Sequence, residues 1–529
     1  MAIRINNLKV PLETSAEELK EKALAKIGRK PSDCLGFRIF RQSVDARKKQ
    51  VSFVYGIELD LKDEKRVACD GSQVVRVEKR PQKAPVPGTV PLKKRPVVVG
   101  TGPCGLFCAL ALARAGYRPL VLERGDDVDE RTRKVELFWQ SGRLDTETNV
   151  QFGEGGAGTF SDGKLTTRIS DPHCAGILAD FVRFGAEERI LYQAKPHIGT
   201  DVLKQVVKRM RKEIQALGGE VRFRCRVDDI LAQNGAVYAV RTADGEEIPC
   251  GVLVLAIGHS ARDTYQLLFD RGIALLQKPF SVGARIEHPQ KWLNEQMYGG
   301  FAGHPALGAA DYQLSHREGD RACYTFCMCP GGVVVAAASE ENTVVTNGMS
   351  ESARDRANAN SAVCVSVDGR DFGSSHPLAG VWFQRQLEQA AFRLGGSNYH
   401  APAQTVRDFL EGTPTRAFAQ VVPSYTGGVC GADLNKLFSG GVSGMLANGL
   451  RVFDRKIKGF ADGGAVLTGA ETRTSAPVRI TRGDTLQSES LAGLYPAGEG
   501  AGYAGGIMSA AADGVKIAEQ IIRTYRVPD

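Results

Sequence analysis

No run of apolar side chains in this sequence approaches the roughly 20 residues a membrane-spanning helix needs, so no membrane is expected as a partner. The opening MAIRINNLKV lacks the apolar core of a secretion signal. Glu13, Glu17, Glu18 and Glu21 follow at once, unlike an acid-poor transit peptide. Cysteine is sparse, 12 in 529 residues, with no CxxC pair and no framework spacing. That argues against a disulfide scaffold and a structural metal site, and the C-x4-C pair of disulfide reductases is absent too. A cytoplasmic protein with reduced thiols is the expectation. There is no internal repeat and no long low-complexity segment.

Hydrophobic residues make up 43% and charged residues 24%, which suits a packed globular chain of two or three domains. The formal charge of +8 is uneven: residues 1–95 carry 22 Lys+Arg against 12 Asp+Glu, a balance of +10, leaving −2 for the remainder. Residues 1–80 read as a small basic α+β domain. Ser15 and Glu18 form a capping box opening a helix that can run to Gly28. Residues 35–44 and 51–61 alternate as half-buried strands, and Asp45-Ala46-Arg47-Lys48-Lys49 reads as an exposed basic turn between them. Such a surface is ordinarily solvated, but it could also dock an acidic protein or, less expectedly, nucleic acid. Residues 81–95 are a linker rich in Pro and Lys.

The pattern changes at Pro96. Val97-Val98-Val99 is a short apolar run of the kind buried in a parallel sheet, a helix-period segment spans Pro103 to Arg114, and a second strand ends at Glu123. Gly100-Thr101-Gly102-Pro103-Cys104-Gly105 between them matches G-x-G-x-x-G in the strand-to-helix setting that makes this pattern specific. Gly100 permits the tight turn, Gly102 a close approach to a pyrophosphate, and Gly105 close helix–strand packing. Helix N-terminal amides then face the phosphates. Glu123 lies 23 residues after Gly100, where a carboxylate can accept from a ribose diol and would repel a 2′-phosphate. Two other stretches share the glycine spacing without the setting. Gly153 to Gly158 and Gly500 to Gly505 read as close-approach loops beside a ligand.

The fingerprint does not separate FAD from NAD. Gly493-Leu494-Tyr495-Pro496-Ala497-Gly498-Glu499-Gly500 resembles the C-terminal FAD segment of the glutathione-reductase-type, two-segment flavoprotein superfamily. In that pattern the acidic residue, here Glu499, binds the flavin ribityl chain, and a helix starting near Gly506-Ile507 points at the flavin. Leu253 to Gly258 resembles the apolar strand closing the second FAD segment. Longer phrases resemble a family of uncharacterised FAD-dependent dehydrogenases: Asn149 to Leu165, Lys195 to Asp201, Ala256 to Asp263, Phe326 to Gly332 and Glu471 to Ile480. The glycine-rich stretch 427–448 departs from it. The resemblance implies FAD as cofactor, with NAD(P)H as a transient electron donor or the substrate itself supplying electrons. The FAD surface is then assigned to Gly100, Gly102, Pro103, Cys104, Gly105, Glu123, Arg124, Gly155, Gly156, Ala157, Val227, Ala256, Gly258, Gly498, Glu499, Gly506 and Ile507.

Flavin chemistry asks few groups of the protein, so candidates are polar residues in segments that can reach the ring. Lys164 could place a cation beside the flavin or bind an acidic substrate, against a plain surface lysine. His259 follows a strand's carboxyl end and could exchange a proton near neutral pH, against a helix-start network in which Arg262 and Asp263 pair. Arg473 could clamp a carboxylate through two parallel hydrogen bonds, against packing of a turn. Arg285 and Glu287 share a strand face and read as a structural ion pair. Cys323, Cys327 and Cys329 read as inert thiols on one strand face.

The fold class expected is α/β: a discontinuous Rossmann-type FAD-binding domain from 96–170, 195–265 and 485–529, an inserted α+β substrate domain at 270–484, and the small N-terminal domain. The expected function is FAD-dependent two-electron oxidation or reduction of a small molecule through flavin N5. The alternatives are an RNA-modifying flavoenzyme gripping RNA with residues 1–80 and a non-catalytic FAD-binding protein.

Overall fold

The computed structural model describes residues 1–528 except 48–49, 79–83 and 168. Lys48 and Lys49 of the expected basic turn, and the first residues of the expected linker, therefore lie outside the described residues.

At the N-terminus a four-stranded antiparallel sheet runs in the order Cys34–Asp45, Ser52–Leu61, Ala2–Val10, Val74–Val77. The helix Ala16–Lys26 packs on it through Leu19, Ala23 and Leu24, against Ile3, Ile5, Ile57 and Leu59. Ser15 caps that helix reciprocally with Glu18, and Gly28 leaves it at φ +65°. Arg4 and Arg38 both pair with the buried Glu58, so part of the basic surface is neutralised from within. Gln42 ties this unit to the rest: its N–H donates to Tyr192 O at 2.7 Å and its carbonyl accepts from Ala194 N–H at 2.8 Å. Beyond the linker's undescribed start, Val90 pairs with Tyr525 and Gly88 N–H donates to Ile522 O at 2.8 Å, so this stretch is pinned to the C-terminal helix.

A five-stranded parallel sheet forms the centre, in the order Leu494–Pro496, Leu253–Leu255, Val97–Val99, Leu120–Leu122, Glu220–Arg222. Four of its strands are apolar because both faces are covered, while the edge strand Glu220–Arg222 is half-buried and carries charged side chains. Val98, Val121 and Val254 point toward the helices Pro103–Arg114, Thr200–Ala216 and Ile507–Thr524. Val97, Leu120, Leu253 and Leu255 point the other way, against a three-stranded meander of residues 227–249. This is a mixed α/β chain with a Rossmann-like centre.

Residues 280–471 carry an eight-stranded, mostly antiparallel sheet built around Phe280–Pro289, Arg321–Ala336, Asn358–Val367 and Val466–Glu471. Phe280–Pro289 is buried on both faces but divided by chemistry. Val282, Ala284 and Ile286 join the apolar core with the helices Ala379–Leu394 and Gly440–Lys456, while Arg285 and Glu287 face the other side. The stretch 427–448, where the family resemblance departs, supplies the short strand Val429–Gly431 and the start of the helix Gly440–Lys456. Among the described residues no helix is long and apolar enough to cross a membrane, and no cluster of three His, Cys, Asp or Glu side chains could hold a metal.

Candidate active site

The strand Val97–Val99 delivers its chain into a turn where only glycine fits. Gly100 sits at φ +100°, and a Cβ there would lie 2.3 Å from Ala256 O; one on Gly105 would lie 1.9 Å from Gly100 O. Gly102 then opens the helix Pro103–Arg114, whose first N–H groups lack intrahelical acceptors. The loop 153–158 folds across this mouth. Gly156, at φ +61°, faces Gly102 so closely that a Cβ on it would stand 2.9 Å from Gly102 Cα. The two glycines form a cradle that any side chain would fill, open to a cavity of about 520 Å³.

The cavity runs from this cradle, past Ala256, Gly258 and Val227 on one side and Glu499, Gly506 and Ile507 on another, to Thr325–Cys329 and Asn347 of the second sheet. Gly506 (φ +148°) leads into the helix Ile507–Thr524, whose N-terminus therefore opens on the cavity. Burial pushes the Glu499 carboxyl up to about 7, opposed only by the attraction of Lys278. A carboxyl in that state is ready to exchange hydrogen bonds with hydroxyl groups.

Some residues assigned to the cofactor stand behind the wall. Gly105, Gly155 and Gly498 do not line the cavity. Gly105 seats the helix on the turn, Gly155 N–H donates to Thr101 O at 2.9 Å, and Gly498 N–H donates to Asp513 at 2.7 Å. Glu123 does line it, but both its oxygens are already engaged. One accepts from Thr101 N–H (2.9 Å) and Thr101 Oγ1 (2.6 Å), the other from Gly125 N–H (2.9 Å) and Gly153 N–H (3.0 Å). A carboxylate offers about four acceptor sites, so Glu123 first organises the loops around the cradle, and any ribose contact shares sites already used. Arg124 spends its guanidinium on Glu147 and Asp263 and lies over Phe152 at 4.2 Å. The residue that sequence reasoning missed is Arg131. It is fully buried and donates to the carbonyls of Asn149, Val150, Gly153, Glu154 and Gly156, fastening the loop over the cradle.

Four families match successive parts of the chain. A domain of unknown function matches residues 2–60, an NAD(P)-binding Rossmann-like domain 98–151, flavin-containing amine oxidoreductases 142–279, and the C-terminal domain of FAD-dependent proteins 279–474. An uncharacterised protein of Clostridium beijerinckii (strain ATCC 51743 / NCIMB 8052) is 49% identical over 533 residues, covering 100% of both chains. The chain belongs to this family of FAD-dependent flavoproteins. Its cofactor is FAD, and the glycine cradle and Glu499 fit that group. Among solved structures the flavoprotein is similar to CtdE in complex with FAD, at 10% identity and a TM-score of 0.31 over 80% of this chain and 82% of that one. It is also similar to tetracycline destructase Tet(51), at 14% identity and 0.29 over 57% and 64%.

The three residues considered for catalysis all line the flavoprotein's cavity, with different standing. Arg473 does not offer a free fork, because its guanidinium is committed to Glu388 (3.0 and 2.9 Å) and to Ser260 and Ser339 (3.1 and 2.5 Å). His259 does not titrate near neutrality: burial and the neighbouring guanidinium groups of Arg473 and Arg262 push it down to about 3. It is a neutral imidazole whose Nδ1 meets Ser260 Oγ at 2.8 Å. The expected local pair of Arg262 and Asp263 does not form either. Arg262 reaches Glu388 and Glu340 at 2.7 and 2.9 Å, while Asp263 takes Arg124 at 2.9 Å, because successive residues of a helix lie about 100° apart and do not meet. Lys164 projects from the segment Gly163–Leu165, bridged to His197, with its side chain at the cavity.

The second sheet corrects two further expectations. Arg285 does not pair with Glu287. It crosses to Glu471 (3.0 and 3.1 Å) and Asn360 (2.8 Å), because the neighbouring strand brings a carboxylate within reach of its fork. Glu287 accepts instead from Asn358 and Ser424. The three cysteines do not share a face. Bulges in Arg321–Ala336 place Cys327 at φ +42°, so Cys327 and Cys329 reach the cavity while Cys323 packs in the core beside Gly449.

Proposed function

We propose that this flavoprotein is an FAD-dependent oxidoreductase that carries out a two-electron oxidation or reduction of a small molecule held between its two sheets. One observation carries the reading: a single cavity joins the cradle of Gly102 and Gly156 to the polar wall of the second sheet around Asn347 and Cys327. Bound FAD would supply two-electron transfer through flavin N5. The free amides at the start of Pro103–Arg114 would take the diphosphate, as in two-segment flavoproteins of the glutathione-reductase type. Glu499 would meet the ribityl hydroxyls, and the positive end of Ile507–Thr524 would favour negative charge at the cavity's edge. His259, neutral throughout the physiological range, would hydrogen-bond without moving a charge. Electrons would come from NAD(P)H visiting the same cavity or from the substrate itself.

The test is anaerobic. The purified protein is expected to carry FAD, and its visible flavin absorbance to bleach on addition of NADH, NADPH or a member of a metabolite panel. A colourless protein that takes up no FAD after refolding with excess cofactor overturns the reading. A flavin that no donor reduces leaves FAD as a structural ligand.

A further inference from the structure

We infer that the substrate is an anion bearing a carboxylate and that Lys164 is the residue that binds it, an inference that rests on the cavity being the active site. The other cations on the cavity wall are engaged. Arg473 forks onto Glu388 and Arg354 onto Asp162; Lys195 meets Asp311 at 2.5 Å, Arg124 meets Glu147 and Asp263 each at 2.9 Å, and Arg226 reaches Asp263 at 3.4 Å. Of the wall's carboxylates, Glu471 is held by Arg285 and Glu123 by four protein donors. Lys164 is the one lysine or arginine lining the cavity that has no carboxylate partner among the described residues.

Its position is built rather than incidental. Lys164 is bridged to His197, Leu165 N–H donates to Pro196 O at 2.9 Å, Ile198 N–H donates to Gly163 O at 3.1 Å, and the chain turns at Gly163 with φ +66°. It lines the same cavity as the thiols of Cys327 and Cys329 on the second sheet, near enough for its charge to act on both. On that same wall Asn347 accepts through Oδ1 from Gly348 N–H at 2.8 Å and from Arg285 at 3.4 Å, and its Nδ2 donates to no atom of the described residues. An ammonium with no counter-ion, partly withdrawn from water, is a cost that an anionic ligand relieves. One ammonium and one amide donor match the single charge and two oxygens of a carboxylate. A phosphate dianion would ask for a second free cation.

The experiment uses the FAD-loaded protein and its Lys164→Met and Lys164→Arg variants. Each is titrated anaerobically with acetate, oxalate, glutarate and benzoate, and with acetamide and benzamide as uncharged counterparts, while the visible flavin spectrum is followed. At least one carboxylate is expected to perturb the wild-type spectrum saturably where the amides do not. Lys164→Met should weaken that binding by about tenfold or more, with Lys164→Arg intermediate. The inference is overturned if no carboxylate saturates, if an amide binds as well as its acid, or if Lys164→Met binds like wild type. It is also overturned if Lys164→Met purifies with less FAD than wild type, because the lysine then serves the cofactor. Wild type that takes up no FAD at all is a different result, and removes the reading of the cavity itself.

Discussion

Arg473 and Glu388 are joined by two parallel hydrogen bonds, Nε to Oε1 at 3.0 Å and Nη2 to Oε2 at 2.9 Å, in the wall of the cavity. Arg262 grips the same carboxylate at 2.7 and 2.8 Å from the Rossmann side. Glu388 therefore clamps the helix Ala379–Leu394 of the second unit to both the start of Arg262–Asp270 and the segment leading back to the C-terminal strand. Burial alone would raise this carboxyl, but the two guanidinium groups override it and hold it far below the usual range. Glu388→Gln removes the charge that two buried cations share. It is expected to cost about 3–5 kcal/mol in urea unfolding. A loss under about 1 kcal/mol would show that Arg262 and Arg473 are not left as uncompensated buried charges.

Gly156→Ala tests the cradle. A Cβ at this position meets Gly102 Cα at 2.9 Å, and the φ of +61° disfavours any side chain. FAD content after purification should fall steeply while far-UV circular dichroism stays native. Gly251→Ala, whose Cβ would meet nothing within 4 Å, serves as the control and should retain full FAD.

Glu499 makes the cofactor-free protein pH-sensitive. Its carboxyl lies at about 7 in the folded chain against 4.5 for an unperturbed glutamate. Between those values the folded state holds the extra proton, so its contribution to stability falls as pH rises. Glu499→Gln should therefore gain on wild type by roughly 3 kcal/mol at pH 8 and nearly match it near pH 4.5, measured by thermal unfolding of FAD-free protein. Equal differences at both pH values would refute this.

His259 carries the opposite sign. Its folded value, pushed down to about 3 from 6.5, means its stabilising share is complete above about 6.5 and is lost as pH falls toward 3. His197 and His288 behave alike, each pushed down to about 4 by burial. Stability should therefore fall on acidification below about pH 6.5, and less steeply in His288→Asn. The rate of flavin reduction should show no ionisation from His259 between about pH 5 and 8. A limb near neutrality that disappears in His259→Asn would contradict the neutral imidazole.

What could be read directly from the chain is local. Gly100, Gly102 and Gly105 lie within six residues between a strand and a helix, and their demands come from backbone crossing backbone, which composition reveals. Ser15 and Glu18 cap their helix for the same reason, and the both-sides-apolar strand Val97–Val99 carries the mark of a covered parallel sheet. The second sheet leaves no such local mark, because it is assembled from strands far apart in sequence, with bulges that turn Cys327 off the expected face.

Partner choice belonged to the tertiary structure. Arg473 finds its carboxylate 85 residues away and Arg262 the same one 126 residues away, so spacing could not announce either pair. Arg285 passed over Glu287 on its own strand for Glu471, 186 residues distant. His259 lost its proton affinity to burial beside two guanidinium groups that folding brought there. The amino-acid order determined where a dinucleotide could be gripped, because that needs only small residues at fixed local offsets. Which charges remain free to meet a substrate was decided by three-dimensional packing, because a charge is spent or available only according to what the rest of the chain places beside it.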